Sequence, residues 1–470
     1  MDRSAEYKRL LEELSVPAEG AEGTVERARA RLRRRRTLTR PAAMIAAAFL
    51  CFVALVNLSP TVAEACSGVP GLRELARAVT FSRSLSDAVD NDYVQPIDLT
   101  QTDGDITASV EYLIVDQKQV TVFFRLESEV YGHMIAEPDF RDSDGEFLGS
   151  CAYGINDYDV PNGELQSATL DFIYGDVPGT VRMYLKVRDV GGWQASATMP
   201  PEGQIITDDN DRWDIARSDM EYVEPEYAAR FDFLLEFDPY FTQQGRRVEI
   251  NRTVELDGQK IILTDMEIFP SHLRLNVDSP EDNTSWLKGL EFRISAGREV
   301  FDTVKNGISA TGSDGTPEMR SYRADSTFFY DAKELTIEIT AAEWLDKDME
   351  RIRVDLAGAS AEAMPEGAEL IRTERQGDRW VVTVGCAMRN WSGDETDANF
   401  HQIFLGAYYG PEGNEHHINS WSSYEYGERN GYFYEEFPLY DYPYDEVWLT
   451  PAYSRYWQAE EPVTISISSD

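Results

Sequence analysis

Val120-Thr121-Val122-Phe123-Phe124-Arg125-Leu126 is the stretch on which the fold class turns. Val120, Val122, Phe124 and Leu126 alternate with Thr121, Phe123 and Arg125, the period of two that sends successive side chains to opposite faces of a strand. Upstream, Asp103-Gly104 precedes the apolar stretch Ile106–Val115. The same alternation returns at Val181, Met183, Leu185 and Val187, and at Phe231, Phe233, Leu235 and Phe237. Further along come Leu273, Leu275 and Val277, then Leu335, Ile337 and Ile339, then Ile352, Val354 and Leu356, and last Val463, Ile465 and Ile467. Short alternating strands between Gly, Asp, Asn and Pro turns predict a mainly β chain built of tandem antiparallel, Ig-like sandwiches.

An internal echo supports the tandem arrangement. Asp257-Gly258 precedes Ile261–Ile268 and Leu273–Val277 as Asp103-Gly104 precedes its own strand pair, and Arg379–Met388 is expected to open a third unit. The expected sandwiches span residues 96–242 and 243–360, with an aromatic-rich third β domain over 366–470. Ala357–Gly367, rich in Ala, Gly and Glu, reads as the linker between the last two.

The chain has 470 residues, is 42% hydrophobic and 11% aromatic, and carries a formal charge of −40. That is a folded composition rather than a disordered one. The charge is uneven. Residues 1–41 hold eleven basic and seven acidic side chains, leaving 33 basic and 77 acidic over the rest. A region so acidic repels nucleic acid and anionic headgroups, so no nucleic-acid partner is expected of it.

Ala42 to Val56 is fifteen residues without a polar side chain, extended by Leu58, and predicts one transmembrane helix over 42–58. Arg27, Arg29, Arg31, Arg33, Arg34, Arg35, Arg36 and Arg40 crowd its N-terminal flank, and no base follows it before Arg73. The excess of positive charge on one side places the N-terminus in the cytoplasm and the C-terminus outside, as a single-pass cell-membrane protein. Ala63-Glu64-Ala65 has the small-x-small form of a signal-peptidase site, but a 41-residue stretch ahead of the apolar run is long for a cleaved leader, so an anchor is the preferred reading. In the tail, Tyr7, Leu10, Leu11 and Leu14 follow helical spacing behind Ser4, and form a face that a cytoplasmic partner would cover. The plainer reading of the tail is an arginine-rich leader that only sets topology. Residues 59–95 read as a juxtamembrane segment with helices over Leu72–Phe81 and Ser84–Val89.

Catalytic chemistry is not apparent. The five histidines are scattered apart from His416 and His417, whose side chains would point to opposite faces of a strand. There is no HExxH, GxSxG or phosphate loop, and no pair of cysteines at zinc-binding spacing among Cys51, Cys66, Cys151 and Cys386. Asp139–Glu146 is similar to part of a calcium loop but has Ser150 where the twelfth-position Glu belongs, so a solvated turn is the simpler account. No enzyme, cofactor or metal is expected. Trp421 to Trp457 holds fourteen aromatics. Trp421, Tyr424 and Trp448 are candidates for stacking on cell-wall glycan, against the simpler alternative that alternate aromatics fill a sandwich core.

The order of these features resembles a known family. The arginine-rich helix opening at Thr24, the short membrane run, Ser59-Pro60-Thr61-Val62-Ala63, Val69-Pro70-Gly71-Leu72, Phe81, Asp87, Tyr93-Val94-Gln95 and the Asp-Gly strand pair look like Gram-positive bacterial membrane proteins whose ectodomain is a domain of unknown function. The resemblance covers roughly residues 1–240 and grows diffuse toward 360. Such proteins resemble membrane-bound anti-sigma factors, which implies a cytoplasmic sigma factor bound by residues 1–41 and a sensing region outside. A membrane-tethered glycan-binding or adhesion protein is the alternative.

Overall fold

The computed structural model describes residues 70–149, 151–155, 159–189, 227–304, 308–312, 316–377, 379–389, 402–418, 422–424 and 431–468. Two compact units separate, Met1–Glu74 and Leu75–Asp470, with the boundary inside the helix Pro70–Ala78. The expected tail and transmembrane helix lie outside the described residues. Among the described residues, no helix is long and apolar enough to cross a membrane.

Among the described residues, two short helices come first, α1 (Pro70–Ala78) and α2 (Arg83–Asp90). Ser82 caps α2 by accepting from Leu85 N at 3.3 Å. Nine strands follow: β1 (Gln95–Asp103), β2 (Ile106–Val115), β3 (Gln119–Ser128), β4 (His133–Arg141), β5 (Cys151–Ile155), β6 (Asp159–Pro161), β7 (Leu165–Phe172), β8 (Thr180–Asp189) and β9 (Ala229–Glu236). They form a five-stranded sheet, β1-β2-β3-β7-β5, and a four-stranded one, β6-β4-β8-β9. The inward residues of both sheets share one apolar core, Val120, Val122 and Phe124 from one side and Val181, Met183 and Phe233 from the other. Gln101 bonds both ways with Asp232 of β9, through Nε2 to the carbonyl at 2.6 Å and from the amide to Oε1 at 3.2 Å. A side-chain amide thus stands where another strand would pair and blunts that edge.

After helix α3 (Pro239–Thr242), the second sandwich uses β10 (Arg246–Leu256), β11 (Gln259–Ile268), β12 (Leu273–Asp278), β13 (Ser285–Ala296), β14 (Glu299–Phe301), β15 (Ala310–Gly312), β16 (Met319–Ala324) and β17 (Glu334–Asp346). The third holds β18 (Ile352–Asp355), β19 (Ser360–Ala361), β20 (Ala368–Gln376), β21 (Arg379–Ala387), β22 (Phe404–Tyr409), β23 (Glu415–His417), β24 (Ser422–Tyr424), β25 (Tyr432–Leu439) and β26 (Glu446–Pro451). The last strand, β27 (Arg455–Ser468), does not stay with the third sandwich. It pairs along β17, in a four-stranded sheet β14-β13-β17-β27 that faces the sheet β10-β11-β12-β16-β15. All strand pairs among the described residues are antiparallel, so the chain is mainly β with several antiparallel sheets.

Two expected boundaries therefore move. Ile352, Val354 and Leu356, read from sequence as the end of the second sandwich, are core residues of the third. Ser360–Ala361, within the expected linker, pairs with β18. Conversely, Ile467 joins the core of the second sandwich, with Val463 and Ile465 packed against it. The physical reason is that a period of two shows which face of a strand is apolar but not which strand it pairs with. The third sandwich is an insertion between β17 and β27, and its ends stay close, with Ser454 N donating to Trp344 O at 2.7 Å and Asp346 N to Ser454 Oγ at 2.9 Å.

Seen this way, the echo is a topological repeat. In each of the first two sandwiches, a three-strand meander is joined by the seventh strand, and the fourth pairs with the eighth, which pairs with a ninth. In the second sandwich that ninth strand is β27. The third has a different order, β19-β18-β26-β22-β23 facing β20-β21-β25-β24, so Arg379–Met388 does not begin a third copy. The two Asp-Gly turns also differ. Asp257 and Gly258 are themselves the two-residue loop between Leu256 and Gln259, both with positive φ, as that mirror-image turn requires. In the first sandwich Asp103 is still paired with Ile106, and the loop is Gly104-Asp105.

Candidate functional site: a buried polar seam between the first two sandwiches

Leu273, Leu275, Tyr322 and Ala324 point into the second core, so the intervening Arg274 and Arg323 fall on the outer face of their sheet, as register partners on adjacent strands. An outer sheet face is ordinarily wet. Here both arginines are buried, because one end of the first sandwich covers them. Like charges directly opposite repel, and Asp171, at the end of β7, offsets this. Arg274 Nη2 donates to Asp171 Oδ1 at 2.8 Å and to Phe172 O at 2.9 Å. Arg323 Nε stands 3.2 Å from Asp171 Oδ2, and its Nη2 donates to Oδ1 at 3.3 Å. Burial lowers the Arg323 pKa to about 10, with Asp171 opposing and Arg274 adding to the drop.

Beside this trio lies a second anion, Asp116, in the β2–β3 turn. One carboxylate oxygen accepts from Lys118 N at 2.8 Å and Gln119 N at 2.9 Å, which holds the turn. The other accepts from Ser271 N at 3.0 Å and from the Ser271 hydroxyl. Burial raises the pKa of Asp116, against those hydrogen bonds. Ser271 Oγ is 2.9 Å from His272 Nδ1, and Arg274 Nε donates to His272 Nε2 at 3.0 Å. A guanidinium cannot accept, so Nε2 must be the bare nitrogen, and Nδ1 carries the proton toward Ser271. Burial first, then Arg274, Arg323 and Lys118, hold the His272 pKa well below its ordinary value. The imidazole is a neutral link between two domains.

Helices α1 and α2 enter the same seam. Ser84 Oγ donates to Asp325 Oδ1 at 2.8 Å, and Ser326 N donates to Ser84 Oγ at 2.8 Å. Ser326 Oγ in turn donates to Phe269 O, and Phe269 N to His272 O at 2.9 Å. Arg83 lies 4.1 Å over the Phe301 ring and donates to Glu299 and to the Tyr330 hydroxyl. On their other side Leu75, Val79, Leu85 and Ala88 pack on Ile114 and Phe123 of the first sandwich. Phe123, on the outward side of its strand by alternation, is thereby buried.

The seam contains none of the described residues expected to carry function. Tyr7, Leu10, Leu11, Leu14 and Trp421 lie outside the described residues. Tyr424 stands in β24, opposite Tyr434, while Trp448 is half-buried on β26 between the core residues Val447 and Leu449. Those strands belong to different sheets, so Tyr424 and Trp448 share no sheet face. Other aromatics of the segment, Phe433, Phe437, Tyr442 and Tyr453, are buried. In the calcium-like loop, Asp142 Oδ1 accepts from Asp144 N at 2.9 Å and Glu146 N at 2.8 Å, the bonding of a capped turn. No group of three His, Cys, Asp or Glu that could hold a metal occurs among the described residues.

The fold is thus that of a β-sandwich protein with an ionic joint. Residues 33–128 match a domain of unknown function (DUF4179), and residues 245–365 match a second family of unknown function (DUF5643). The first match contains α1, α2 and Asp116, and the second contains His272, Arg274, Arg323 and Asp325, so the two matched regions meet at the seam. No curated protein matches the chain. A crystal structure of a conserved domain protein from Bacillus anthracis is similar at 11% identity and a TM-score of 0.36, over 54% of this chain and 79% of that one.

Proposed function

We propose that the chain is a single-pass membrane regulator of the anti-sigma kind. Residues 1–41 hold a sigma factor in the cytoplasm through Tyr7, Leu10, Leu11 and Leu14, and the β-sandwiches sense a condition outside the cell. One observation carries the reading. Helix α2, which follows the apolar run 42–58 in the chain, is hydrogen-bonded to the second sandwich through Ser84 and packed on the first through Leu85 and Ala88. A ligand or force that shifts the two sandwiches acts on the chain leading to the membrane, which is what a transmembrane sensor needs. The arginine collar and the resemblance to anti-sigma proteins support the same reading.

The test is recovery of partners from membranes carrying the full-length protein, with and without Tyr7→Ala and Leu11→Ala. A sigma factor recovered with the unaltered protein and lost with the variants is the expected result. Equal recovery from both, or no cytoplasmic protein from either, contradicts the proposal. The alternative, glycan retention, is favoured only by the half-exposed Trp448, and Trp448→Ala reducing retention on purified cell wall would support it.

A further inference from the structure

We infer that the polar seam is a latch that opens as one unit, releasing helix α2 from the second sandwich whenever the first two sandwiches part. The inference concerns coupling within residues 75–470 and holds whatever the tail binds.

The interface between two domains with separate apolar cores is here closed by buried ions, beside an aromatic contact in which Tyr93 meets Phe328 and Phe329 of the second sandwich. Asp116, Asp171, Ser271, His272, Arg274 and Arg323 are all buried. Ionic contacts of this kind give high geometric specificity but little net stability, because opening the joint returns each charge to water. The cores on either side lose apolar burial if they open, and have no such compensation. Separation at the seam therefore costs less than opening either core. Arg323 adds to the bias, since its Nη1 is buried without a hydrogen-bond partner and its Nε makes only the ion-pair approach to Asp171. Water would satisfy both when the joint opens.

The link to α2 is geometric. Arg323 and Asp325 are two residues apart on one segment, Asp325 accepts from Ser84, and Ser326 joins Ser84 to Phe269 and so to His272. The helix and the ion cluster are consecutive links of one hydrogen-bonded chain. The buried apolar contacts of α2 with Ile114 and Phe123 belong to the first sandwich, while Ser84, Arg83 and Asp87 hold it to the second through Asp325, Glu299 and Tyr330, so on opening the helix keeps its apolar seat on the first and gives up these polar contacts with the second.

Hydrogen–deuterium exchange on the full-length protein in lipid nanodiscs tests this. Amides of residues 83–90, 116–119 and 269–274 should exchange with a common protection, well below that of β17. Ser84→Ala removes one hydroxyl outside the ion cluster, and should raise exchange in all three stretches together by about tenfold while leaving β17 unchanged. Arg323→Met should do the same. If Ser84→Ala accelerates only residues 83–90, or if the three stretches are protected as strongly as β17, the latch is refuted.

Discussion

His272 shows how far one side chain's state is decided by its neighbours. Asp116, Arg274, Arg323 and Lys118 face it, and the arginine bonded to Nε2 excludes a second proton. The folded pKa lies below the unfolded one, so the unfolded chain takes up a proton as pH falls below about 6.5 while the folded chain does not. Stability from this residue is complete above that pH and declines below it, by as much as about 1.4 kcal/mol per pH unit until the folded pKa is reached. Urea unfolding at pH 7.5 and 5.5 should show the decline in the natural protein and a shallower one in His272→Gln. Equal slopes would mean that His272 protonates in the fold. For Arg274→Met the expectation is a loss of about 3–5 kcal/mol at neutral pH, read from the urea midpoint, because Asp171 keeps only Arg323 and the His272 Nε2 loses its donor.

At the scale of elements, the helices are fixed less by their own length than by what covers them. α1 and α2 are too short to persist alone, and their apolar sides lie on Phe123 and Ile114. Phe123→Ala should cost about 3–5 kcal/mol, and near-ultraviolet circular dichroism should report loosened packing around Tyr93 and Phe241. Unchanged stability would mean that the helices do not depend on this contact. Much of this level was legible in the sequence. Alternation marked the strands, and spacing placed α2 within a residue at each end of Ser84–Val89. What alternation could not reveal was pairing. Val463, Ile465 and Ile467 read as one more apolar strand face, and nothing local says that their partner lies more than a hundred residues upstream. The seam was hidden for a related reason. Arg274 and Arg323 occupy the polar phase of their strands, which in isolation is the phase that faces water. Only contact with another domain turns that phase into an interior. His272 stood out only as an isolated histidine. The tail and Trp421 belong to residues the structure does not describe.

For the whole molecule, the repeat explains where the third sandwich could be accepted. In the first sandwich residues 190–228 join the eighth and ninth strands, and in the second an entire sandwich occupies the same connection. Because Trp344 O and Ser454 N are bonded at 2.7 Å, replacing residues 349–452 with a short Gly-Ser linker should leave the second sandwich and the seam folded, with one cooperative melt. Loss of the seam's exchange protection in that variant would show that the third sandwich supports the second.

The functional account requires the seam to lie outside the cell and the arginine-flanked tail inside. Membrane-impermeant maleimide applied to intact cells decides this, with single cysteines at Ser4→Cys and at the exposed Glu412→Cys in a background free of native cysteine. The account predicts immediate labelling at 412 and labelling at 4 only after lysis. Labelling at 4 on intact cells, or protection of 412 until lysis, would contradict it.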